Sequence, residues 1–217
     1  MERLYIAAKA PRPGLAKTRL AAAIGDEAAL SLYRAFLTDL AARFCDGPFP
    51  LGWYVTPADA WTELATICGA GADVLVLEQR DGDWTERQRR LFQGMPARGE
   101  TRTVLTASDS PHMPREVVAD AFDKLERHDV VLGPVHDGGY YLIGMNGPHD
   151  VLAGVRMSTS SVFDEIEARC ARQGLSLALV QPTFDVDEVG DLDRLSGALD
   201  DCPATRAALD SLALPIL

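Results

Sequence analysis

Short apolar runs alternate with amphipathic stretches along most of the chain. The apolar runs have the length and composition of buried strands. We predict strands at residues 4–8, 51–55, 74–77, 103–107, 130–135, 140–145 and 175–180.

Amphipathic helices are predicted in most of the intervals between these strands. The clearest is 26–44, whose apolar positions recur at helical spacing on one face and whose N-terminus Asp26 can cap. Further helices are predicted at 58–68, 85–93, 115–127, 160–173, 188–199 and 203–212. This alternation predicts an α/β fold with a mostly parallel, doubly wound sheet and helices on both faces.

One pair of predicted strands departs from the alternation. Only His136-Asp137-Gly138-Gly139 separates 130–135 from 140–145, which is too short for a crossover helix. We therefore expect an antiparallel pair or a kink there, and hence a mixed sheet. The length of 217 residues fits a single domain spanning 1–217 and is short for two domains with a linker.

The overall charge limits the partners. The chain has 32 acidic residues against 21 Lys and Arg, a net charge of -11, so we expect neither nucleic acid nor an anionic membrane as a partner.

No apolar run reaches the roughly 18 residues of a membrane span, and the first residues resemble a strand more than a signal peptide, which predicts a cytoplasmic location. The four cysteines show no zinc-site or disulfide spacing.

The segment 9–20 is cationic in this acidic chain. No acidic residue lies between Glu2 and Asp26, and the segment follows the first predicted strand and runs into a helix, so cations and backbone amides can converge on a phosphate. It is neither a Walker A nor a G-x-G-x-x-G sequence. The predicted nucleotide contacts here are Ala8, Lys9, Arg12, Gly14, Lys17 and Arg19. The alternative is a solvated basic turn stiffened by two prolines.

Three aspartates are candidate metal ligands. Asp109 follows the predicted strand 103–107, at the sheet edge where doubly wound folds bind ligands. Asp185 and Asp187 are two apart in an extended segment, so they point the same way and can share a cation. Mg²⁺ (or Mn²⁺) suits such a site, because Mg²⁺ takes one or two carboxylates with phosphate oxygens and water. The alternative role for Asp109 and Asp187 is helix capping.

The turn between the predicted strands 130–135 and 140–145 is a candidate substrate contact. Gly138 and Gly139 permit positive φ and a close ligand approach, and Asp137 can bond a substrate hydroxyl. A plain hairpin turn explains the glycines equally well.

The segment 79–87 follows another predicted strand and leads into a helix. It can recognise a base or an acceptor, with Gln79 as a nucleotide contact and with Asp83 and Arg87 as substrate contacts. A solvated, charge-balanced helix start is the alternative.

These loops together resemble the family called rSAM/selenodomain-associated transferase 1, over nearly the whole chain. The resemblance rests on Pro11-Arg12-Pro13-Gly14 with Lys17-Thr18-Arg19-Leu20, on Asp109-Ser110-Pro111, and on Gly133-Pro134 with Asp137-Gly138-Gly139-Tyr140-Tyr141-Leu142-Ile143-Gly144. The chain departs from the family at Gly82-Asp83-Trp84-Thr85-Glu86-Arg87, where members usually read Gly-Asp-Leu-Gly-Glu-Arg. Several elements are also similar to phospholactate guanylyltransferases and molybdenum-cofactor nucleotidyltransferases.

The resemblance implies a GT-A, or nucleotide-diphospho-sugar transferase, fold with a nucleotide and magnesium. We therefore expect a transferase that takes a nucleoside triphosphate or a nucleotide sugar and passes one half to a small-molecule acceptor. Lys17, Arg19 and Asp109 are the expected catalytic residues. Nucleotidyl transfer is slightly favoured by the cationic segment, and glycosyl transfer by the family label. A nucleotide-binding module without turnover is the alternative from another class.

Overall fold

The structure is a computed structural model that describes residues 1–69, 74–136, 138–157 and 159–212. Seven strands within these residues form one sheet in the order β3-β2-β1-β4-β6-β5-β7. They are β1 (Glu2–Lys9), β2 (Leu51–Thr56), β3 (Leu75–Glu78), β4 (Arg102–Ala107), β5 (Val130–Pro134), β6 (Tyr140–Met145) and β7 (Leu177–Leu179). Each of the seven predicted strands is present.

The sheet is mostly parallel and contains one reversed strand. β6 runs antiparallel to both of its neighbours, β4 and β5, while the other strand pairs are parallel. Of the two predicted possibilities, an antiparallel pair or a kink, the structure has the antiparallel pair. Because β6 is reversed, its first residue, Tyr140, lies at the same edge as the carboxyl ends of β1 and β4.

Eight α-helices surround the sheet in the described part of the chain. They are α1 (Thr18–Ile24), α2 (Asp26–Phe44), α3 (Trp61–Cys68), α4 (Trp84–Gln93), α5 (Arg115–Lys124), α6 (Val162–Gln173), α7 (Asp191–Ser196) and α8 (Pro203–Ser211). None of them is both long enough and apolar enough to cross a membrane.

Alternate strand residues point into two separate cores, as the two-residue period of a strand requires. In β1, Leu4 and Ile6 join the core that contains the buried faces of α2 and α5. Tyr5 points to the other face, where α4 and α6 cover the sheet. The protein is therefore a single-domain α/β structure of three layers, as predicted.

Two predicted helix starts are wrong in detail. Asp26 does not cap α2, because it is the first helical residue and Gly25 occupies the cap position. The helix predicted at 188–199 is the shorter α7, because the Asp191 carboxylate accepts hydrogen bonds from the backbone N–H groups of Asp187 and Glu188 and holds them in a loop.

Two loops at the carboxyl edge of the sheet are tied together, although they follow distant strands. The backbone N–H of Val186 donates to the carbonyl of Asp109 at 2.9 Å, and Ser110 Oγ lies 2.9 Å from the carbonyl oxygen of Phe184. The His112 ring stacks on Phe184 with 4.1 Å between ring centroids. This contact brings the loop after β7 back across the sheet to the end of β4.

Arg43 of α2 holds the same region from beneath. Its buried guanidinium donates to the carbonyls of Pro111 and Met113 in the loop after β4. It also donates to the carbonyl of Asp201 at 2.6 Å, ahead of α8. The loop that begins with Asp109 is therefore fixed to the core on two sides.

His112 makes stability depend on pH. Burial, helped by the charges of Arg43 and Arg194, lowers the pKa of His112 to about 4, whereas an unfolded histidine titrates near 6.5. The folded state thus binds fewer protons between these values, so the free energy of unfolding falls as the pH falls through this window.

We predict that the wild type loses about 1 kcal/mol more of its free energy of unfolding than His112→Gln between about pH 7.5 and about pH 5.5. Urea unfolding of both proteins at the two pH values measures this difference. Equal losses would show that His112 titrates normally in the fold.

Candidate functional site

A pocket of about 630 Å³ lies at the carboxyl edge of the sheet. It is the edge predicted from the sequence, because β1, β3 and β4 all end there and β6 begins there. Its lining comprises Ala7, Ala8, Lys9, Leu15, Ala16, Lys17, Thr18, Arg19, Tyr33, Gln79, Trp84, Arg87, Ala107, Ser108, Asp109, Val135, Gly139, Tyr140, Met157, Thr159, Ser160, Val162, Asp185 and Asp187.

The ammonium group of Lys17 lies between two of the predicted carboxylates. Lys17 Nζ contacts Asp109 Oδ1 and lies 3.2 Å from Asp187 Oδ1. It also donates a hydrogen bond of 2.6 Å to the carbonyl of Val186. Burial alone would lower the pKa of Lys17, but the charges of Asp109 and Asp187 outweigh it and the pKa is raised, so the lysine is charged.

The local backbone explains how Lys17 reaches this position. Lys17 precedes α1 and has φ 51° and ψ 39°, the left-handed region, and it is the one described non-glycine residue with positive φ. Such a conformation costs of the order of 1 kcal/mol or more, and functional sites often contain it. It turns the side chain inward, where only 2% of it is exposed.

Asp185 lies beside this pair but does not contact Lys17. Its Oδ1 atom is 2.7 Å from Ser110 Oγ. Burial, followed by the charges of Asp109 and Asp187, raises the pKa of Asp185 to about 7. At neutral pH this carboxyl is therefore shared between its charged and its neutral form, unlike a free aspartate.

Neither Asp109 nor Asp187 caps a helix. α5 begins after Pro114 and α7 after Gly190, and no side-chain hydrogen bond caps either helix. The capping alternative is thus excluded for Asp109 and Asp187.

The cations of the segment 9–20 do not all face the pocket. Lys9 and Arg19 are exposed and line the pocket, and Arg19 lies 3.6 Å from Glu188. Arg12 points elsewhere, because its guanidinium pairs with Asp59 at 3.0 Å and with Glu63 at 2.5 Å. Although the loop has no acid of its own, the fold therefore supplies carboxylates to Arg12, Lys17 and Arg19.

The opposite wall combines aromatic and polar groups that the sequence interpretation largely missed. Trp84 and Tyr140 line it, and Tyr140 Oη donates to the buried Gln88 at 2.9 Å. Of the residues predicted in 79–87, Gln79 and Arg87 line the pocket. Asp83 instead caps α4 by accepting from the N–H of Glu86 at 2.9 Å.

The glycine turn between β5 and β6 contributes unequally. Gly139 lines the pocket, whereas Gly138 has φ 89° and packs so closely that a Cβ there would meet the carbonyl oxygen of Ser160 at 2.1 Å. Asp137 lies outside the described residues. Gly14 is a turn glycine with φ 75°, and no described atom lies within 4 Å of the place a Cβ would occupy.

The donor groups fit a magnesium ion that also binds phosphate. No group of three or more His, Cys, Asp or Glu within the described residues could hold a metal by itself. Asp109 and Asp187 both contact Lys17 Nζ and both line the pocket, however, and their side chains are 37% and 51% exposed. One or two carboxylates is the number that Mg²⁺ uses when phosphate oxygens and water complete its shell.

The fold is that of nucleotide-dependent transferases. A protein of Desulfovibrio desulfuricans G20, provisionally described as a nucleotide-diphospho-sugar transferase, is 30% identical over 96% of this chain and 94% of its own, with a TM-score of 0.88. 4-Diphosphocytidyl-2C-methyl-D-erythritol synthase (14% identity, TM-score 0.57) matches 92% of this chain and 98% of its own. CMP:2-keto-3-deoxy-manno-octonic acid synthetase complexed with CTP (12%, TM-score 0.52) matches 90% and 97%.

The chain belongs to the family DUF2064, "Uncharacterized protein conserved in bacteria", whose model matches residues 48–159. This segment includes Asp109 and much of the aromatic wall, but it ends before Asp187. No curated protein matches the chain in sequence.

We predict that Gly138→Ala destabilises the protein more than Gly174→Ala, although both glycines have positive φ. At Gly174 no described atom lies within 4 Å of the added carbon, so only the backbone cost of about 1–2 kcal/mol applies. At Gly138 the carbonyl of Ser160 must also move. Urea unfolding of both variants measures the difference, and equal losses would contradict the close packing of this turn.

Proposed function

We propose that the protein is a magnesium-dependent transferase that binds a nucleotide donor in the pocket at the carboxyl edge and passes one half of it to a small-molecule acceptor. The observation that carries this proposal is the convergence of Lys17, Asp109 and Asp187 on the wall of that pocket. The volume of about 630 Å³ falls in the usual range for small-molecule sites.

The two sides of the pocket have different chemistry, which suggests a division of roles. Lys9, Lys17 and Arg19 bind the phosphates, with Ala8 and Gln79 contributing to the nucleotide site. Asp109 and Asp187 hold Mg²⁺ (or Mn²⁺), with Asp185 beside them. We assign Arg87 and Gly139 to the acceptor, and Asp137 stays a predicted substrate contact outside the described residues. Arg12, Gly14, Asp83 and Gly138 have no assigned contact.

Catalysis in such a site depends on position and charge. Lys17 and Arg19 neutralise negative charge that grows on the leaving phosphate, and no side chain acts as a nucleophile. When bound, the metal supplies Lewis-acid stabilisation of phosphate oxygens. Asp109 and Asp187 would contribute by fixing its place, since the hydrogen bonds of Ser110 and Val186 tie their two loops together.

Nucleotidyl transfer, with pyrophosphate as the leaving group, is slightly favoured because Lys9, Lys17 and Arg19 of the cationic segment 9–20 all line the pocket. The two distantly similar structures, at 14% and 12% identity, are named as a diphosphocytidyl-product synthase and a CMP-product synthetase. Their names support nucleotidyl transfer. Glycosyl transfer is the second candidate, because the 30%-identical relative is described as a nucleotide-diphospho-sugar transferase. A cytoplasmic location and membership of the rSAM/selenodomain-associated transferase 1 family are part of the same proposal.

We predict that Asp109→Asn removes the magnesium-dependent part of the thermal stabilisation by nucleoside triphosphates while the fold persists. The change neutralises a carboxylate with little change in volume, and a ligand that binds only the folded state raises the melting temperature. Asp59→Asn is the matched control, because Asp59 pairs with Arg12 away from the pocket lining. Unchanged magnesium dependence in Asp109→Asn would remove Asp109 from the metal site.

We predict that Arg19→Gln weakens triphosphate binding by roughly tenfold, whereas Arg12→Gln leaves it near the wild-type value. Both arginines belong to the cationic segment 9–20, but only Arg19 lines the pocket. Isothermal titration calorimetry with a triphosphate and with the matching monophosphate makes the comparison. The loss in Arg19→Gln should be larger for the triphosphate, and equal losses would place Arg19 away from the outer phosphates.

The bond that breaks is identified by phosphorus NMR of a complete reaction. We expect pyrophosphate and a nucleotide attached to the product. Nucleoside diphosphate as the sole phosphorus-containing leaving product would establish glycosyl transfer instead and would leave the cation and carboxylate assignments intact.

A further inference from the structure

All the hydrogen-bonding capacity of Lys17 is used inside the protein. An ammonium group has three N–H donors and no acceptor. Here its three acceptors are Asp109 Oδ1, Asp187 Oδ1 at 3.2 Å and the carbonyl of Val186 at 2.6 Å. In this arrangement Lys17 therefore has no N–H left for a phosphate.

The position of the ammonium is built into the fold. The left-handed backbone at Lys17 directs the side chain inward, and Nζ lies 5.7 Å from the centre of the Phe36 ring. Only 2% of the lysine side chain is exposed, against 37% for Asp109 and 51% for Asp187. A ligand that enters the pocket thus meets the carboxylates first and the ammonium behind them.

This order of groups conflicts with direct phosphate binding. The pair of carboxylates keeps one net negative charge even with Lys17 in place, so it repels an approaching phosphate. A divalent cation on the pair reverses that sign. Such a cation would also bind the carboxylate oxygen atoms that Lys17 contacts, which would leave N–H groups of the lysine available.

We infer that Lys17 is the resident counter-cation of the Asp109–Asp187 pair, and that it gives up this place to a divalent cation when a phosphate ligand binds and then donates to the phosphate. The inference rests on the proposed function and adds an order of events to it. Metal alone binds weakly, because it must displace a buried cation. Metal and phosphate bind cooperatively. The metal replaces Lys17 on the two carboxylates, and the phosphate accepts the hydrogen bonds that Lys17 then has available.

The first test measures Mn²⁺ alone, by electron paramagnetic resonance, on the wild type and on Lys17→Met. Without the competing cation, we expect the affinity for Mn²⁺ to rise by roughly tenfold or more. Lys9→Met is the matched control, since Lys9 lines the same pocket but forms no ion pair with any described residue, and its affinity should stay near the wild-type value. Unchanged or weaker Mn²⁺ binding in Lys17→Met would overturn the inference and make the lysine an organiser of the pair.

The second test observes Lys17 itself in the wild-type protein and so does not depend on the folding of a Lys17 variant. The chain has three lysines, Lys9, Lys17 and Lys124, so NMR of lysine labelled with ¹³C at Cε gives three signals, which Lys9→Arg and Lys124→Arg assign. We expect Mg²⁺ with inorganic pyrophosphate to shift the Lys17 signal, and Mg²⁺ alone at the same concentration to leave it in place. A Lys17 signal that stays in place while the Lys9 signal shows binding would overturn the exchange.

Failure of the counter-cation inference can be distinguished from failure of the proposed function. The Mn²⁺ titration contains no phosphate ligand, so its result holds whether or not the protein proves to use a nucleotide. A rise in Mn²⁺ affinity without any triphosphate binding would support the counter-cation role and contradict the proposed function alone.

Discussion

The ion pairs of Lys17 with Asp109 and Asp187 are the interaction on which the arrangement of this site depends. Three segments meet in it: the loop after β1, the loop after β4 and the segment after β7. A buried lysine is costly unless it is paired and hydrogen-bonded, and two neighbouring carboxylates without a cation would repel each other. The charges of Asp109 and Asp187 raise the pKa of Lys17 against the effect of burial, and they add to burial in raising the pKa of Asp185.

The sheet topology makes the meeting possible. β7 is at the far edge, separated from β4 by β5 and β6. The segment after β7 returns across the carboxyl edge, where Tyr141 Oη donates to the carbonyl of Gln181 at 2.7 Å and Thr183 forms a bridge with Val135. It then joins the loop after β4 through Ser110 and Val186. Reversing β6 lets Tyr140 face the same pocket, so one edge gathers both the charged and the aromatic wall.

Local sequence patterns predicted the strands, most helices, the reversed pair and the edge that contains the pocket, because each depends on periodicity or on loop length. They could not predict tertiary pairing. Arg12 and Lys17 are both cations of the segment 9–20 and both predicted nucleotide contacts. In the structure Arg12 pairs with Asp59, whereas Lys17 is buried. Asp83 and Asp109 both follow strands, yet only Asp109 faces the pocket. In the sequence Trp84 and Tyr140 resemble ordinary core residues and Asp191 resembles a surface residue. Only the fold shows that Trp84 and Tyr140 line the pocket and that Asp191 holds the loop at Asp187 and Glu188.

The central claim is that a nucleotide binds across this pocket with its phosphates toward Lys17 and Arg19. A crystal structure with Mg²⁺ and a triphosphate whose α–β bridging oxygen is replaced by methylene tests it most directly, because such an analogue resists nucleotidyl transfer. We expect the metal on Asp109 and Asp187, Lys17 Nζ on a phosphate oxygen, and the nucleoside toward Gln79. A nucleotide bound elsewhere, or bound here with Lys17 still between the two carboxylates and no metal on them, would contradict it.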